Sequence, residues 1–261
     1  MIFAKKSFGQ HFLRDQSVLD KIVAAAEIGD DDIVIEIGPG RGALTDRLAQ
    51  VTDRLILIEA DRELIPELET RFPKAKIIQA DAAHVDFSEL VPKGEWILVS
   101  NLPYNAGNAI IRQALTSTKP PKRQVVMLQR EVGEKMLAKP GEMSILSVAV
   151  QMYADVKRIC TVKPGAFVPP PKVDSVVLTL VPNLKCDKPE EVIGLAKLAF
   201  AHKRKQMHRT LSDASMGTSE GIRAWLEAHH LPETIRPEDL NLENWIELSG
   251  FLSVPSQVKS K

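Results

Sequence analysis

Cysteine is nearly absent from this chain of 261 residues: Cys160 and Cys186 are the whole complement, at a separation that suits neither a zinc site nor a disulfide framework. That sets aside a disulfide-built scaffold and points to a reducing compartment. Aromatic residues are scarce too, at 5%, with two tyrosines and three tryptophans, so any aromatic ring at a turn stands out. Charge of one sign is lacking: Lys+Arg 34 balances Asp+Glu 34. No global positive field draws the chain onto a polyanion, and nucleic-acid contacts must come from local patches. Long apolar runs are missing as well. Nothing approaches the ~20 residues of a membrane span, and the start, Met1-Ile2-Phe3-Ala4-Lys5-Lys6, is too poor in apolar residues for a signal peptide. The expectation is a cytoplasmic protein with no membrane contact and no metal site.

What is present is an alternation. Short apolar runs rich in Val and Ile at 33–37, 55–58, 76–79, 96–99 and 124–128 are separated by amphipathic stretches at 43–50, 62–72 and 108–116, the pattern of a parallel sheet covered on both faces. Runs at 156–162 and 175–181 lack an intervening helix and suit an antiparallel edge hairpin. After Pro182 the texture turns helical, with expected helices at 192–201, 203–212, 221–229 and 242–252. An α/β domain over 1–182 and a small all-helical domain over 183–261 follow.

The first run empties into Gly38-Pro39-Gly40-Arg41-Gly42. Glycines there let backbone approach a ligand while the next helix turns its N-terminal amides toward it, although a tight turn needs glycine for steric reasons alone. Glu59 closes the second run, where a carboxylate can take both ribose hydroxyls, and Asp81 follows the third, placed to accept from an adenine amine. The third glycine comes one residue early for a dinucleotide fingerprint. No phosphate is required, so S-adenosylmethionine is favoured over NAD.

Asn101-Leu102-Pro103-Tyr104 ends the fourth run. The exocyclic amine of adenine is a poor nucleophile because its lone pair is delocalised into the ring. The Asn101 side-chain oxygen and the Leu102 carbonyl could hold its hydrogens, Pro103 fixes the turn without donating a competing bond, and Tyr104 could stack on the extruded base. Positioning rather than a strong general base would supply most of the rate. Residues 167–175, Phe-Val-Pro-Pro-Pro-Lys-Val-Asp-Ser, form a proline-stiffened loop. Phe167 could complete an aromatic clamp and Lys172 meet a phosphate; spacing alone suits equally a stiff connector with a core phenylalanine. The run His202-Lys203-Arg204-Lys205-Gln206-Met207-His208-Arg209 offers either phosphate contacts through Lys203, Arg204, Lys205 and Arg209 or an ordinary solvated helix face.

Taken together these segments, with Lys6-Ser7-Phe8-Gly9-Gln10-His11-Phe12-Leu13 and Met127-Leu128-Gln129-Arg130-Glu131-Val132, resemble the KsgA (RsmA) family of small-subunit ribosomal RNA adenine dimethyltransferases nearly end to end. The resemblance implies a Rossmann-like methyltransferase domain with a helical carboxy-terminal domain. It implies two methylations on each of two adjacent adenines in the 3′-terminal hairpin loop of small-subunit (16S) ribosomal RNA, late in the assembly of that subunit. A monomer is the plainer expectation, on no specific sequence signal. His11, Leu13, Gly38, Gly40, Glu59, Asp81 and Asn101 are then implied to contact S-adenosylmethionine, with Tyr104 and Phe167 around the target base. Two departures stand out: His11 occupies a place usually held by asparagine, and Ala106-Gly107-Asn108 replaces the usual Ile-Ser-Thr.

Overall fold

The computed structural model describes residues 11–91, 93–202 and 205–253. In chain order it carries β1 (Phe12–Leu13), α1 (Gln16–Ala26), β2 (Ile33–Ile37), α2 (Ala43–Leu48), β3 (Leu55–Glu59), α3 (Ile65–Arg71), β4 (Lys76–Gln79), α4 (Phe87–Leu90), β5 (Trp96–Asn101), α5 (Gly107–Leu115), β6 (Arg123–Gln129) and α6 (Arg130–Met136). After α7 (Ile145–Gln151) come β7 (Ala154–Val162), β8 (Phe167–Val168) and β9 (Ser175–Pro182).

Seven strands form one sheet in the order β4-β3-β2-β5-β6-β9-β7. β2 to β6 are parallel, while β9 runs antiparallel between β6 and the edge strand β7. The last two strands do pair as the sequence suggests, but β9 is the inner one, because its apolar run is buried from Ser175 to Leu180 whereas β7 is mostly exposed. Period-two alternation sends Val34, Ile97, Val99, Val125, Met127 and Val177 to one face, where they share a core with Val18, Leu19, Ile22 and Ala26 of α1. Each such side chain contributes roughly 1.5–3 kcal/mol by leaving water. α1 starts where Asp15 accepts the Val18 amide at 3.2 Å, an N-cap that fixes its entry onto this face.

The second unit comprises Lys135–Tyr153 and Asn183–Lys261, with α7, α8 (Pro189–Phe200), α9 (Met207–Asp213), α10 (Ser219–Ala228) and α11 (Leu242–Ser253). This corrects the expected extent of the first domain, 1–182: residues 135–153 belong with the helices. Val148 and Met152 are buried in one cluster with Val192, Ile193, Leu195 and Trp245, and the Met152 and Tyr153 carbonyls accept the Lys185 and Asn183 amides at 3.0 and 2.8 Å. The helix expected at 203–212 begins only at Met207, because Gln206 is extended (φ −64°, ψ 143°) and acts as the cap. Among the described residues no helix is long and apolar enough to cross a membrane.

Close packing of α6 on β9 depends on one glycine. A Cβ on Gly133 would overlap Cγ1 of Val176, a fully buried branched side chain on a strand paired on both sides. Gly133→Ala gains up to ~1 kcal/mol of helix propensity and loses ~1–3 kcal/mol to overpacking. The loss wins, and thermal unfolding is expected to show a melting temperature lower by about 2–8 °C; an unchanged or raised value would contradict the packing.

Candidate active site

The sheet changes winding direction between β2 and β5, which are hydrogen-bonded neighbours although separated in sequence by β3 and β4. Open α/β sheets bind ligands at such a point, beyond the carboxyl ends of the strands. Here a cleft with about 1030 Å³ of empty space, open to solvent on one side, is lined by the ends of β2, β3 and β5, by Ala80 to Ala82 after β4, and by His11, Phe12 and Leu13.

Its floor is the glycine loop. Gly38, Gly40 and Gly42 have φ of +64°, +56° and +75°, and at Gly40 a Cβ would also lie 2.9 Å from the Phe12 ring. Glycine is thus required at Gly40 by backbone conformation and by contact alike. Two carboxyl groups stand beneath the loop. Glu59 is 5% exposed; its Oε2 accepts the Gly40 amide at 3.1 Å and its Oε1 the Asp61 amide at 2.9 Å. Burial raises its pKa, and these backbone donors pull the other way. Glu36, on the neighbouring strand, is 2% exposed and accepts the Thr45 hydroxyl at 2.7 Å. Burial pushes its pKa from about 4.5 up to about 8; the Thr45 hydrogen bond opposes the rise, and the nearby charges of Glu59 and Asp46 add to it.

Opposite the loop, the Asn101 to Tyr104 corner turns into α5. Pro103 contributes a carbonyl that accepts the Ala106 and Gly107 amides at 3.1 and 2.9 Å, fastening the helix start to the corner. Leu102 donates its amide to the Met127 carbonyl at 3.0 Å and buries its side chain. Asn101 donates Nδ2 to the His11 carbonyl at 3.2 Å, which fixes the amide's orientation and leaves Oδ1 as its acceptor end. The Tyr104 hydroxyl meets Ser175 Oγ at 2.7 Å, and its ring lies 5.7 Å from that of His11, tilted by 31°.

A strap holds the near wall. Phe12 and Leu13 pair with Val168 and Phe167 as β1 with β8, and Arg14 donates to the Ala166 carbonyl at 2.8 Å. His11 Nδ1 lies 2.9 Å from the Pro169 carbonyl; a carbonyl only accepts, so Nδ1 carries the proton.

His11, Leu13, Gly38, Gly40, Glu59, Asp81, Asn101, Leu102, Pro103 and Tyr104 therefore all line one cleft. Asp81 sits at its exposed rim, where Oδ1 caps the turn at Ala82–His84 by accepting the Ala83 amide at 3.0 Å. Phe167 is the correction. Its side chain is 2% exposed and belongs to the core with Leu13, Leu19 and Ile22, because the β1–β8 pairing turns it inward and its neighbour Val168, 43% exposed, outward. It is not among the residues that line the cleft. Lys172 is exposed on the proline loop, outside the cleft lining. In the helical unit, Lys205 and Arg209 are exposed and line a second, shallow cleft with Ser212 and Asp213, whose carboxylate lies 3.6 Å from Lys205 Nζ. Lys203 and Arg204 lie outside the described residues.

Sequence reasoning passed over Glu36 as a cleft residue. The available signal was a lone carboxylate in an otherwise apolar strand, two residues before the first glycine. Among the described residues no group of three His, Cys, Asp or Glu side chains could hold a metal. The donor set instead fits S-adenosylmethionine: carboxyl groups at Glu36, Glu59 and Asp81 match an ammonium, ribose hydroxyls and an adenine amine, and among the described residues Arg41 is the only arginine or lysine in the lining.

Glu36 also sets a pH dependence. With a folded pKa near 8 against an ordinary 4.5, the folded chain keeps a proton that the unfolded chain releases, so its contribution to stability is full below pH ~4.5 and is lost as pH rises through ~8. Thermal unfolding without ligand is expected to fall in midpoint between pH 5 and 8.5, with a shallower fall in Glu36→Gln. Equal slopes would contradict a buried, protonated Glu36.

The sequence matches the ribosomal RNA adenine dimethylase family over residues 2–252. It is 38% identical to a protein of Synechococcus elongatus named ribosomal RNA small subunit methyltransferase A, covering 97% of this chain and 96% of that one. It is 39% identical to a protein of the same name from Syntrophotalea carbinolica, covering 95% and 96%. Among solved structures, a dimethyladenosine transferase from Plasmodium falciparum superposes with a TM-score of 0.76 at 28% identity, over 91% of this chain and 96% of that one. The 23S rRNA methyltransferase ErmE gives the same score at 24% identity over 92% and 99%, a likeness of fold. With this match over nearly its whole length, and with its Rossmann-like sheet, the chain belongs to the ribosomal RNA adenine dimethylase family.

Proposed function

We propose that this chain dimethylates the exocyclic amines of two adjacent adenines in the 3′-terminal hairpin loop of small-subunit ribosomal RNA, acting as a cytoplasmic monomer on an immature small subunit. The observation that carries the reading is that the Asn101 to Tyr104 corner and the carboxylate-bearing strand ends open onto the same cleft. S-adenosylmethionine, when bound, supplies an electrophilic methyl on a sulfonium.

The residues divide the remaining work. Glu59 holds the ribose hydroxyls while keeping the loop in place through Gly40, Asp81 accepts from the cofactor's adenine amine, and Gly38 and Gly40 allow backbone contact. Glu36 faces the cofactor's ammonium, and its proton is released as that charge arrives. His11 and Leu13 close the near wall. On the substrate side, Asn101 Oδ1 and the Leu102 carbonyl accept the two amine hydrogens, which turns the nitrogen lone pair out of conjugation. Pro103 offers no competing donor, and Tyr104 stacks on the base, a contact worth ~1–3 kcal/mol. Alignment for in-line attack then supplies the rate. Lys172, Lys203, Arg204, Lys205 and Arg209 supply phosphate contacts, in keeping with an electrostatic docking term.

The fold is shared with a large-subunit methyltransferase, so the alternative substrate is the large-subunit RNA. The small subunit is preferred because the curated relatives at 38–39% identity are named for it. Incubation with labelled S-adenosylmethionine and immature subunits is expected to place label in small-subunit RNA as dimethyladenosine; label in large-subunit RNA alone would overturn the assignment. In that assay Asn101→Ala is expected to lower kcat by on the order of 100-fold or more, and Tyr104→Ala to lower kcat/KM by about 5–150-fold. Full activity in either variant would refute the role given to it.

A further inference from the structure

Tyr104 is held at its hydroxyl end by a residue outside both the glycine loop and the catalytic corner. Ser175 opens β9, and its backbone is paired on both sides, with Gln129 of β6 and with Val162 of β7. Its side chain is fully buried. Oγ lies 2.7 Å from the Tyr104 hydroxyl across 71 residues of chain. The residue before it is anchored as well: the Asp174 carboxylate meets Lys163 Nζ at 2.7 Å and Arg130 Nη1 at 3.4 Å, and its carbonyl accepts the Arg130 amide at 2.9 Å. Ser175 is thus a short side chain on backbone paired on both sides. Tyr104, by contrast, lies on a turn, and its ring contact is His11, carried on the strap.

We propose that Ser175 is a positioning residue for methyl transfer: by holding the Tyr104 hydroxyl it fixes the plane of the ring, and with it the angle at which a stacked adenine presents its amine. The inference rests on the reading of Tyr104 as the base platform. Its physical basis is that in-line transfer tolerates little misalignment, a displacement of about 1 Å being worth up to ~100-fold in rate. Burial raises the phenol's pKa, so the hydroxyl stays protonated and hydrogen-bonding across the working range.

The chain has two tyrosines, the other being Tyr153, so protein labelled with 3-fluorotyrosine and compared with Tyr153→Phe yields an assigned fluorine signal for Tyr104. In Ser175→Ala that signal is expected to shift and narrow as the ring is freed, with S-adenosylhomocysteine affinity within about twofold of wild type and kcat down by about tenfold or more. Tyr104→Phe, which removes the same bond from the other side, is expected to match that loss, and the double variant to be no slower than either single. Ser175→Thr, keeping the hydroxyl, is expected to recover most of the rate. An unchanged fluorine signal, wild-type kcat in Tyr104→Phe, or losses that multiply in the double variant would overturn the proposal. Should Ser175→Ala fail to fold, Tyr104→Phe decides. Absence of methyl transfer by the wild type would sink the proposed reaction, while the fluorine signal would still decide whether Ser175 holds the ring.

Discussion

A parallel sheet whose winding reverses between two adjacent strands leaves a crevice at their carboxyl ends, and the glycine loop, the carboxyl-bearing strand ends and the Asn101 corner all open onto that gap between β2 and β5. Once the strand order is fixed, the residues at the strand ends face a common space without further design. Glu36 stands near the end of β2, Glu59 ends β3, Asp81 follows β4 and Asn101 ends β5. The same constraint accounts for their graded exposure: the carboxyls on the two inner strands are almost fully buried, while Asp81, beyond the outer strand, remains at a solvated rim.

Burial makes the inner pair both costly and useful. A carboxyl taken out of water is driven toward its neutral form, and the nearby Glu59 charge pushes Glu36 further the same way. A ligand bringing positive charge relieves that situation, whereas an anionic phosphate would aggravate it. The cleft therefore selects by charge as well as shape. Glu59 has a second task, since the amide it accepts from Gly40 ties the glycine loop to β3. The residue proposed to take the ribose hydroxyls thus also holds the loop in its left-handed turn.

Most of the sheet was legible in the sequence because parallel strands are continuous apolar runs and their ends are marked by polar residues. Gly38, Glu59, Asp81 and the Asn101 corner could be read from that punctuation alone. What escaped depended on pairing between distant segments. The two-residue strands β1 and β8 carry no periodicity, yet their pairing turns Phe167 into the core and removes it from the expected clamp. Residues 135–153 continue the strand-and-helix alternation in sequence, but their apolar side chains are buried with the later helices. The bond between Tyr104 and Ser175 joins two motifs that are each visible, with nothing in either to predict the contact.

In the proposed reaction the corner holds a purine with its amine turned toward the methyl donor. A crystal structure of the chain with S-adenosylhomocysteine and a short RNA carrying the target adenine tests it most directly. The purine amine is expected within hydrogen-bond distance of Asn101 Oδ1 and the Leu102 carbonyl, its ring against Tyr104, and the cofactor's sulfur on the far side of that nitrogen. A purine bound elsewhere, or a corner closed by side chains with the cofactor in place, would contradict it.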